Sequence, residues 1–223
     1  MALFFCEPIF TTQKGEIMNN IMMIALTGGP CAGKTTILNM LKEAYRFNIV
    51  FVPEVATTLL SGGYPMFDGA APTPEWQSDF QKAILAEQFR LEDEAMDKAR
   101  QMPCKMVICD RGVLDGAAYT PGGREAFCTL HGLDEADMIR RYTAVVHLET
   151  RAIACPQEYG DQSNVHRYED VQAALGLDLA TFQAWEGHSR HMRLPSAAGL
   201  IAKRRTIDSL IDALLRMAHD NRS

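Results

Sequence analysis

The chain has 223 residues, of which 47% are hydrophobic and 22% charged, and a formal net charge of −6 at pH 7. Its length is sufficient to bury a large core as one domain, and a second full domain is not expected. Lys and Arg are spread along an acidic chain rather than clustered, which argues against a duplex nucleic-acid partner. The six Cys form no C-x-x-C pair, so we expect reduced thiols and a cytoplasmic location.

Residues 1–20 differ in character from the rest of the chain. They contain a short apolar run with no basic region before it and no clear small-residue cleavage site, so they fit a secretory signal poorly and are too short to span a membrane. We expect an N-terminal extension without a function over residues 1–20, followed by a single domain over residues 21–220.

The strongest motif is GGPCAGKTT at residues 28–36, which follows an apolar run over residues 21–26 and opens a helical pattern. It satisfies G-x-x-x-x-G-K-[ST] between a predicted strand and a predicted helix, which indicates a nucleotide phosphate site. Lys34 is predicted to reach the β- and γ-phosphates, and Thr35 to bind Mg²⁺. Backbone N–H groups and the helix dipole add to the attraction for phosphate. The predicted nucleotide-binding residues are Gly28, Gly29, Pro30, Cys31, Ala32, Gly33, Lys34, Thr35 and Thr36.

Two acids follow predicted strands, and ligands gather at the carboxyl ends of strands in open α/β sheets. Glu54 comes after the strand at residues 48–52 and is predicted to be a catalytic base; a carboxylate that stabilises a helix N-terminus is the alternative. Asp110 ends the strand that starts at Lys105, as a Walker B acid that holds Mg²⁺ does. A capping or turn aspartate is the alternative there.

Arg111 directly follows this acid, and its planar guanidinium suits phosphate or an anionic substrate. Asp115 and Tyr119 come next and either line an acceptor pocket or form a structural turn. Farther along, Arg151 and Arg167 border a loop over residues 151–165. A closing loop with arginines would exclude water and meet the charge of phosphoryl transfer, although surface arginines are common.

The remaining pattern predicts alternating strands and helices. Residues 61–73 read as a loop that could cover a substrate, and Thr73 is predicted to cap a long helix that begins at Pro74. His147 is expected to be a packed or half-exposed residue of a strand. His188 and His191 have no third ligand at a suitable spacing, so zinc is not expected. Further elements are predicted at residues 34–47 (helix), 122–141 (two short helices), 143–148 (strand), 169–185 (helix), 192–194 (strand) and 199–218 (helix).

Taken together, these motifs resemble a known family. They comprise the phosphate loop, PEVAT with its GG-Y-P loop, FQ on the long helix, DRG-x-x-DG-x-x-Y, N-x-x-R-x-E-D and W-x-x-H. The set resembles the AAA-domain P-loop ATPase/kinase family, which includes the nicotinamide-riboside kinase domain of bacterial NAD regulators and the animal proteins named for defective TRPL translocation. It is distantly similar to deoxynucleoside kinases. The resemblance covers nearly everything after residue 20.

The resemblance implies a three-layer α/β P-loop NTPase fold with about five parallel strands, helices on both faces and a kinase-like lid. It does not imply a hexameric motor, because no sensor region or small helical lid domain is evident. By position, it assigns the base to Glu54, nucleobase reading to Gln81 and the Asp-Arg pair to Asp110 and Arg111. Arg167 would lie in the lid.

The sequence therefore predicts a Mg²⁺-dependent kinase that transfers phosphate from ATP to a small hydroxyl-bearing, nucleoside-like metabolite. The predicted catalytic residues are Lys34, Glu54, Asp110, Arg111 and Arg167, with Glu54, Gln81, Arg111 and Asp115 binding the acceptor and Thr35 and Asp110 the metal. The absence of an N-K-x-D signature favours ATP over GTP. A nucleotide-binding regulator with a protein or phosphoinositide partner is the main alternative, and a simple ATPase a third. The oligomeric state is left open, with a homodimer as one option.

Overall fold

The computed structural model describes residues 21–67, 72–158 and 170–220. Its strands are β1 (Met22–Gly28), β2 (Ile49–Val52), β3 (Met106–Asp110), β4 (Ala144–Leu148) and β5 (His191–Leu194). They form one parallel sheet in the order β2-β3-β1-β4-β5. The predicted α/β P-loop fold, with the phosphate-loop strand at the centre of five parallel strands, is confirmed.

Eight helices surround this sheet in the described part of the chain. α3 begins as predicted, because the Thr73 hydroxyl oxygen accepts a hydrogen bond from the Trp76 amide at 3.2 Å and Pro74 occupies the first turn. The helices are α1 (Lys34–Tyr45), α2 (Val55–Ser61), α3 (Pro74–Ala99), α4 (Gly123–His131), α5 (Glu135–Arg140), α6 (Arg151–Ala154), α7 (Val171–Ala184) and α8 (Leu200–Asp220).

Alternate residues of β1 serve two separate cores, because successive strand side chains point to opposite faces. Ile24 and Leu26 pack on one face with apolar residues of α1 and α8. Met23 and Ala25 pack on the other face with residues of α3, α4 and α7, including Trp185 just beyond the end of α7. Burial of each large apolar side chain contributes about 1.5–3 kcal/mol, so both helical layers stabilise the central strand.

Two segments are more regular than the sequence predicts. Residues 113–119, expected as a turn, form a 3₁₀ helix, and residues 151–158, expected within a loop, contain α6 and a second 3₁₀ turn. The predicted N-terminal extension at residues 1–20 and the predicted lid residue Arg167 lie outside the described residues. In the part of the chain that is described, no helix has both the length and the apolarity needed to cross a membrane.

Candidate functional site

The predicted site residues meet because neighbouring strands end at the same edge of the sheet. β1 runs into the phosphate loop, β2 into Glu54 and β3 into Asp110 and Arg111. These residues line one cleft of about 1700 Å³. Of the predicted site residues that the structure describes, Thr35, Gln81 and Asp115 also line this cleft.

The phosphate loop takes backbone conformations that few side chains allow. Gly28 and Gly33 have φ values of +133° and +87°, in the region that favours glycine. A Cβ atom on Gly28 would also lie 2.0 Å from the Leu148 carbonyl oxygen. Cys31 adopts a φ of +55° although it carries a side chain, which costs backbone energy. The loop conformation is therefore held by its surroundings.

Lys34 lies almost fully buried beneath the loop. Its Nζ donates hydrogen bonds of 2.8 Å to the carbonyl oxygens of Gly28 and Gly29. Burial, reinforced by the positive charge of Arg111, lowers the pKa of Lys34 to about 8. An ammonium group held between carbonyl oxygens in a site that disfavours its charge gains by pairing with an anion. Lys34 is thus suited to bind phosphate.

Arg111 joins two carboxylates at the end of β3. Its Nε donates to Glu54 Oε1 at 2.7 Å, and one terminal nitrogen donates to Asp115 Oδ2 at 3.2 Å. Arg111 also adopts a left-handed φ of +75°, which is strained for a residue with a side chain. Burial alone would raise the pKa of Glu54, but the charges of Arg111 and Lys34 and hydrogen bonds from Arg111 and Thr57 lower it to about 2. Glu54 is therefore ionised near neutral pH.

Asp110 is the best-placed residue for a metal. Burial and the negative charge of Glu54 raise its pKa to about 6, and its Oδ1 is buried without a hydrogen-bond partner among the described residues. A buried oxygen of this kind needs a partner, and Mg²⁺ is usually bound by one or two carboxylates together with substrate phosphates and water. With the exposed Thr35 hydroxyl in the same cleft, the residues present fit Mg²⁺.

Asp115 is buried and holds several neighbours. Its Oδ2 accepts a hydrogen bond of 2.6 Å from the Thr27 hydroxyl as well as the bond from Arg111, and its Oδ1 accepts one of 2.8 Å from Trp185 Nε1. The carboxylate therefore orients Arg111 and ties the end of β3 to the centre of the sheet. Its predicted contact with an acceptor stays a prediction.

One end of the cleft forms a chamber of aromatic and amide side chains, mostly from α3. Trp76 and Phe80 pack with ring centroids 4.8 Å apart, and Tyr64 packs on Phe80 at 4.9 Å. Gln81 is 6% exposed and lines the cleft, and no described residue hydrogen-bonds to its amide. A nearly buried amide that keeps free donors and an acceptor can recognise the polar edge of a flat ring. We call this region the α3 chamber.

The opposite end of the cleft lies between β4 and α8. Glu149 is held there by Arg193 Nε at 2.9 Å and the Ser196 amide at 2.8 Å. Lys203 is 5% exposed, and no described residue forms an ion pair or hydrogen bond with its ammonium group. Burial lowers the pKa of Lys203. Residues 196–200, which lead into α8, also line the cleft on this side.

Sequence reasoning missed a buried network behind Arg111. Glu92 is fully buried and accepts hydrogen bonds from Gln88 Nε2 at 2.7 Å, from Tyr142 OH at 2.6 Å and from Arg141 Nε at 2.6 Å. Gln88 also donates to the Arg111 carbonyl oxygen at 3.3 Å, so the network supports the strained backbone there. A Gln and a Glu one turn apart on a predicted helix give only a weak sequence signal for such a network.

His147 is fully buried in β4, as a packed histidine should be, with its Nε2 3.2 Å from Asp178 Oδ1. Asp178 lies on α7 and was not singled out in the sequence. Its Oδ1 accepts hydrogen bonds from the Gly29 amide of the phosphate loop at 3.0 Å and from the Thr150 amide at 2.8 Å. The phosphate loop is thus attached to α7 as well as to its own strand and helix.

Comparison with known protein families agrees with this fold. The family model described as an AAA domain matches residues 23–197, which is most of the chain. The chain belongs to this AAA-domain family. An AAA-type P-loop domain is a nucleotide-binding module, in accord with the loop around Lys34. No curated protein is similar enough to this AAA-domain protein to be matched with it.

Proposed function

We propose that this AAA-domain protein is a Mg²⁺-dependent phosphotransferase that moves the γ-phosphoryl group of ATP to a hydroxyl group of a small, nucleoside-like metabolite. The observation that carries the proposal is the α3 chamber, which continues the cleft beyond the phosphate loop. The cleft of about 1700 Å³ is larger than the ~300–1000 Å³ of typical single-ligand pockets. A cleft of this size would accommodate a second substrate beside the nucleotide.

The donor phosphates would bind to the loop that ends at Lys34. On binding, the Lys34 ammonium exchanges the carbonyl oxygens of Gly28 and Gly29 for phosphate oxygens, and the opposite charge favours its protonated form. Thr35 and Asp110 would hold Mg²⁺, which neutralises charge on the β- and γ-phosphates. The 195–203 segment and Lys203 would face the base and ribose.

The acceptor would lie in the α3 chamber with its hydroxyl group toward Glu54. In the transfer, the acceptor oxygen bonds to the γ-phosphorus, the bond from that phosphorus to the ADP oxygen breaks, and the hydroxyl proton passes to Glu54. Because such transition states are loose, alignment of the hydroxyl contributes more than base strength. Arg111 would stabilise charge on the transferred group. Gln81 would bind the acceptor ring, and Arg167 remains a predicted lid residue.

A nucleotide-dependent regulator is the second candidate, and one observation favours it. Both carboxylate oxygens of Glu54 already accept hydrogen bonds, one from Arg111 and one of 2.7 Å from the Thr57 hydroxyl. A carboxylate engaged in this way, with a pKa of about 2, is a weak proton acceptor. In a regulator, the Arg111–Glu54 pair would respond to the bound nucleotide, and slow hydrolysis would end the signal.

The test is ADP release from Mg-ATP, first with no acceptor and then with a panel of nucleosides and nicotinamide riboside. A kinase releases ADP only when its acceptor is present, and the mass of that acceptor increases by one phosphoryl group. Lys34→Ala should abolish this turnover while the protein stays folded, and Lys82→Ala is the matched control because Lys82 is exposed on α3 and pairs only with Asp79 among the described residues. Tight nucleotide binding without acceptor-dependent turnover would favour the regulator.

A further inference from the structure

Asp178 connects α7 to the phosphate loop although it belongs to no recognised motif. The residue is 1% exposed. One of its oxygens, Oδ1, accepts hydrogen bonds from two backbone amides, that of Gly29 in the phosphate loop and that of Thr150 after β4. The Thr150 hydroxyl in turn donates to the Pro30 carbonyl oxygen. Asp178 and Thr150 therefore hold two consecutive residues of the phosphate loop from outside.

The bond to Gly29 also determines where Lys34 lies. The Gly29 N–H and the Gly28 carbonyl belong to one peptide group, which is planar. The N–H points to Asp178, so the carbonyl points the opposite way, where it accepts a hydrogen bond of 2.8 Å from Lys34 Nζ and one of 3.4 Å from Arg111. A carboxylate on one side and two cations on the other orient this single peptide group.

The close approach of Asp178 explains why position 29 is a glycine. Gly29 has no left-handed φ, so backbone freedom is not the reason. A Cβ atom at this position would lie 2.6 Å from Asp178 Oδ1 and 2.8 Å from Asp178 Cβ, closer than such atoms approach each other. Gly29 thus leaves room for a side chain from α7.

The carboxylate of Asp178 is held in its charged form by the groups around it. Burial alone would raise its pKa, but His147 and the amides of Thr150 and Gly29 outweigh burial and lower it. Arg193 adds a positive charge 3.7 Å from Oδ2. A hydrogen bond to an ionised carboxylate is roughly twice as strong as one between neutral groups, which makes the contact with Gly29 a firm constraint.

We propose that Asp178 is a positioning residue for the phosphate loop, which fixes the Gly28–Gly29 peptide and through it the Lys34 ammonium group that receives the nucleotide phosphates. This inference rests only on the nucleotide-binding half of the proposed function and is independent of the acceptor. Asp178 itself touches no substrate, and its effect passes through the loop.

The test compares Asp178→Ala and Asp178→Asn with Thr181→Ala. Thr181 is a matched control because it is equally buried on α7 and, among the described residues, its side chain forms no hydrogen bond to the phosphate loop. We expect Asp178→Ala to weaken Mg-ATP binding by about 10- to 100-fold, the loss of one charge-assisted hydrogen bond. Asp178→Asn keeps an oxygen that can accept from Gly29 and should lose less. Thr181→Ala should bind like the wild type.

The amide resonance of Gly29 in a protein NMR spectrum distinguishes the positioning role from a purely structural one. If Asp178 only stabilised the fold, its replacement would not shift this resonance selectively. It should shift upfield in Asp178→Asn and further in Asp178→Ala, while Thr181→Ala leaves it in place. If Asp178→Ala does not fold, the Gly29 shift and the smaller loss of Mg-ATP affinity in Asp178→Asn test the inference on their own. An unchanged Gly29 resonance and unchanged affinity in every folded Asp178 variant would overturn the inference. Wild-type protein that binds no Mg-ATP would refute the proposed function instead, while the Gly29 resonance would still test the role of Asp178.

Discussion

Arg111 Nε lies 2.7 Å from Glu54 Oε1, so that a cation from the end of β3 meets a carboxylate from the end of β2 inside the nucleotide cleft. The charge of Arg111 helps to keep Glu54 ionised at neutral pH, and the same charge helps to lower the pKa of Lys34. Glu54 is thus positioned to align the acceptor hydroxyl group and to take up its proton as the phosphoryl group transfers, rather than to act as a strong base. The proposed mechanism depends on this arrangement.

Replacement of Glu54 by Gln tests that role. The amide keeps the size of the side chain but cannot accept the acceptor's proton, so we expect acceptor phosphorylation to fall by about 10²- to 10⁴-fold. Affinity for Mg-ATP, measured by calorimetry, should change little. Glu43→Gln on the exposed side of α1 is the control. If Glu54→Gln phosphorylates the acceptor at the wild-type rate, Glu54 is not the catalytic residue.

The depressed pKa of Lys34 predicts a pH dependence of nucleotide binding. In the free protein Lys34 loses its proton near pH 8, whereas bound phosphate favours the protonated form. Affinity should therefore decrease as the pH rises above about 8, and binding in this range should take up a proton. Calorimetric titrations at pH 9 in two buffers of different ionisation enthalpy would measure that uptake. Equal binding enthalpies in the two buffers would contradict the assignment.

Replacement of Asp110 by Asn should make the free protein more stable at neutral pH. Because the pKa of Asp110 rises from 3.8 to about 6 on folding, the ionised carboxylate destabilises the free protein, and this penalty grows as the pH rises from 3.8 through 6. The Asn variant should be about 1–3 kcal/mol more stable than the wild type at pH 7 and should lose that advantage toward pH 4. Urea unfolding at the two pH values measures this difference.

The same variant should bind ATP with little benefit from Mg²⁺, because it lacks the charged oxygen that we assign to the metal. The comparison is the ratio of ATP affinities with and without Mg²⁺ in Asp110→Asn and in wild-type protein. Asp97→Asn, on the exposed part of α3, should keep the wild-type ratio. If Asp110→Asn shows the same ratio of ATP affinities as the wild type, Asp110 does not bind the metal.

Gln81→Leu tests the α3 chamber as the acceptor site. The substitution removes the free amide but keeps an apolar side chain of similar length, so an acceptor ring that pairs with the amide should bind more weakly by about 10-fold, the cost of one hydrogen bond. The KM for the acceptor should rise while that for Mg-ATP stays within about twofold of the wild type, since only the acceptor loses a partner. Gln101→Leu, on the exposed surface, is the control. A change in both KM values would indicate a general disturbance.

The sequence predicts the residues that lie in a motif or at the end of a strand, because local patterns specify both. Lys34, Glu54 and Asp110 are predicted in this way, and the parallel strands bring them to one edge of the sheet. Asp178 could not be found, since its bond to Gly29 joins residues 149 positions apart and nothing nearby in the sequence marks it. Glu92 was missed for a similar reason, because its partners Arg141 and Tyr142 come from a different part of the chain.

The most direct test of the proposed phosphotransferase activity is the formation of ADP from Mg-ATP by purified protein with and without acceptor candidates, followed by mass spectrometry of the products. We expect ADP release that depends on one nucleoside-like acceptor, a product heavier by one phosphoryl group, and loss of both in Lys34→Ala. Nucleotide binding at the phosphate loop with no acceptor-dependent ADP release across the panel would contradict it.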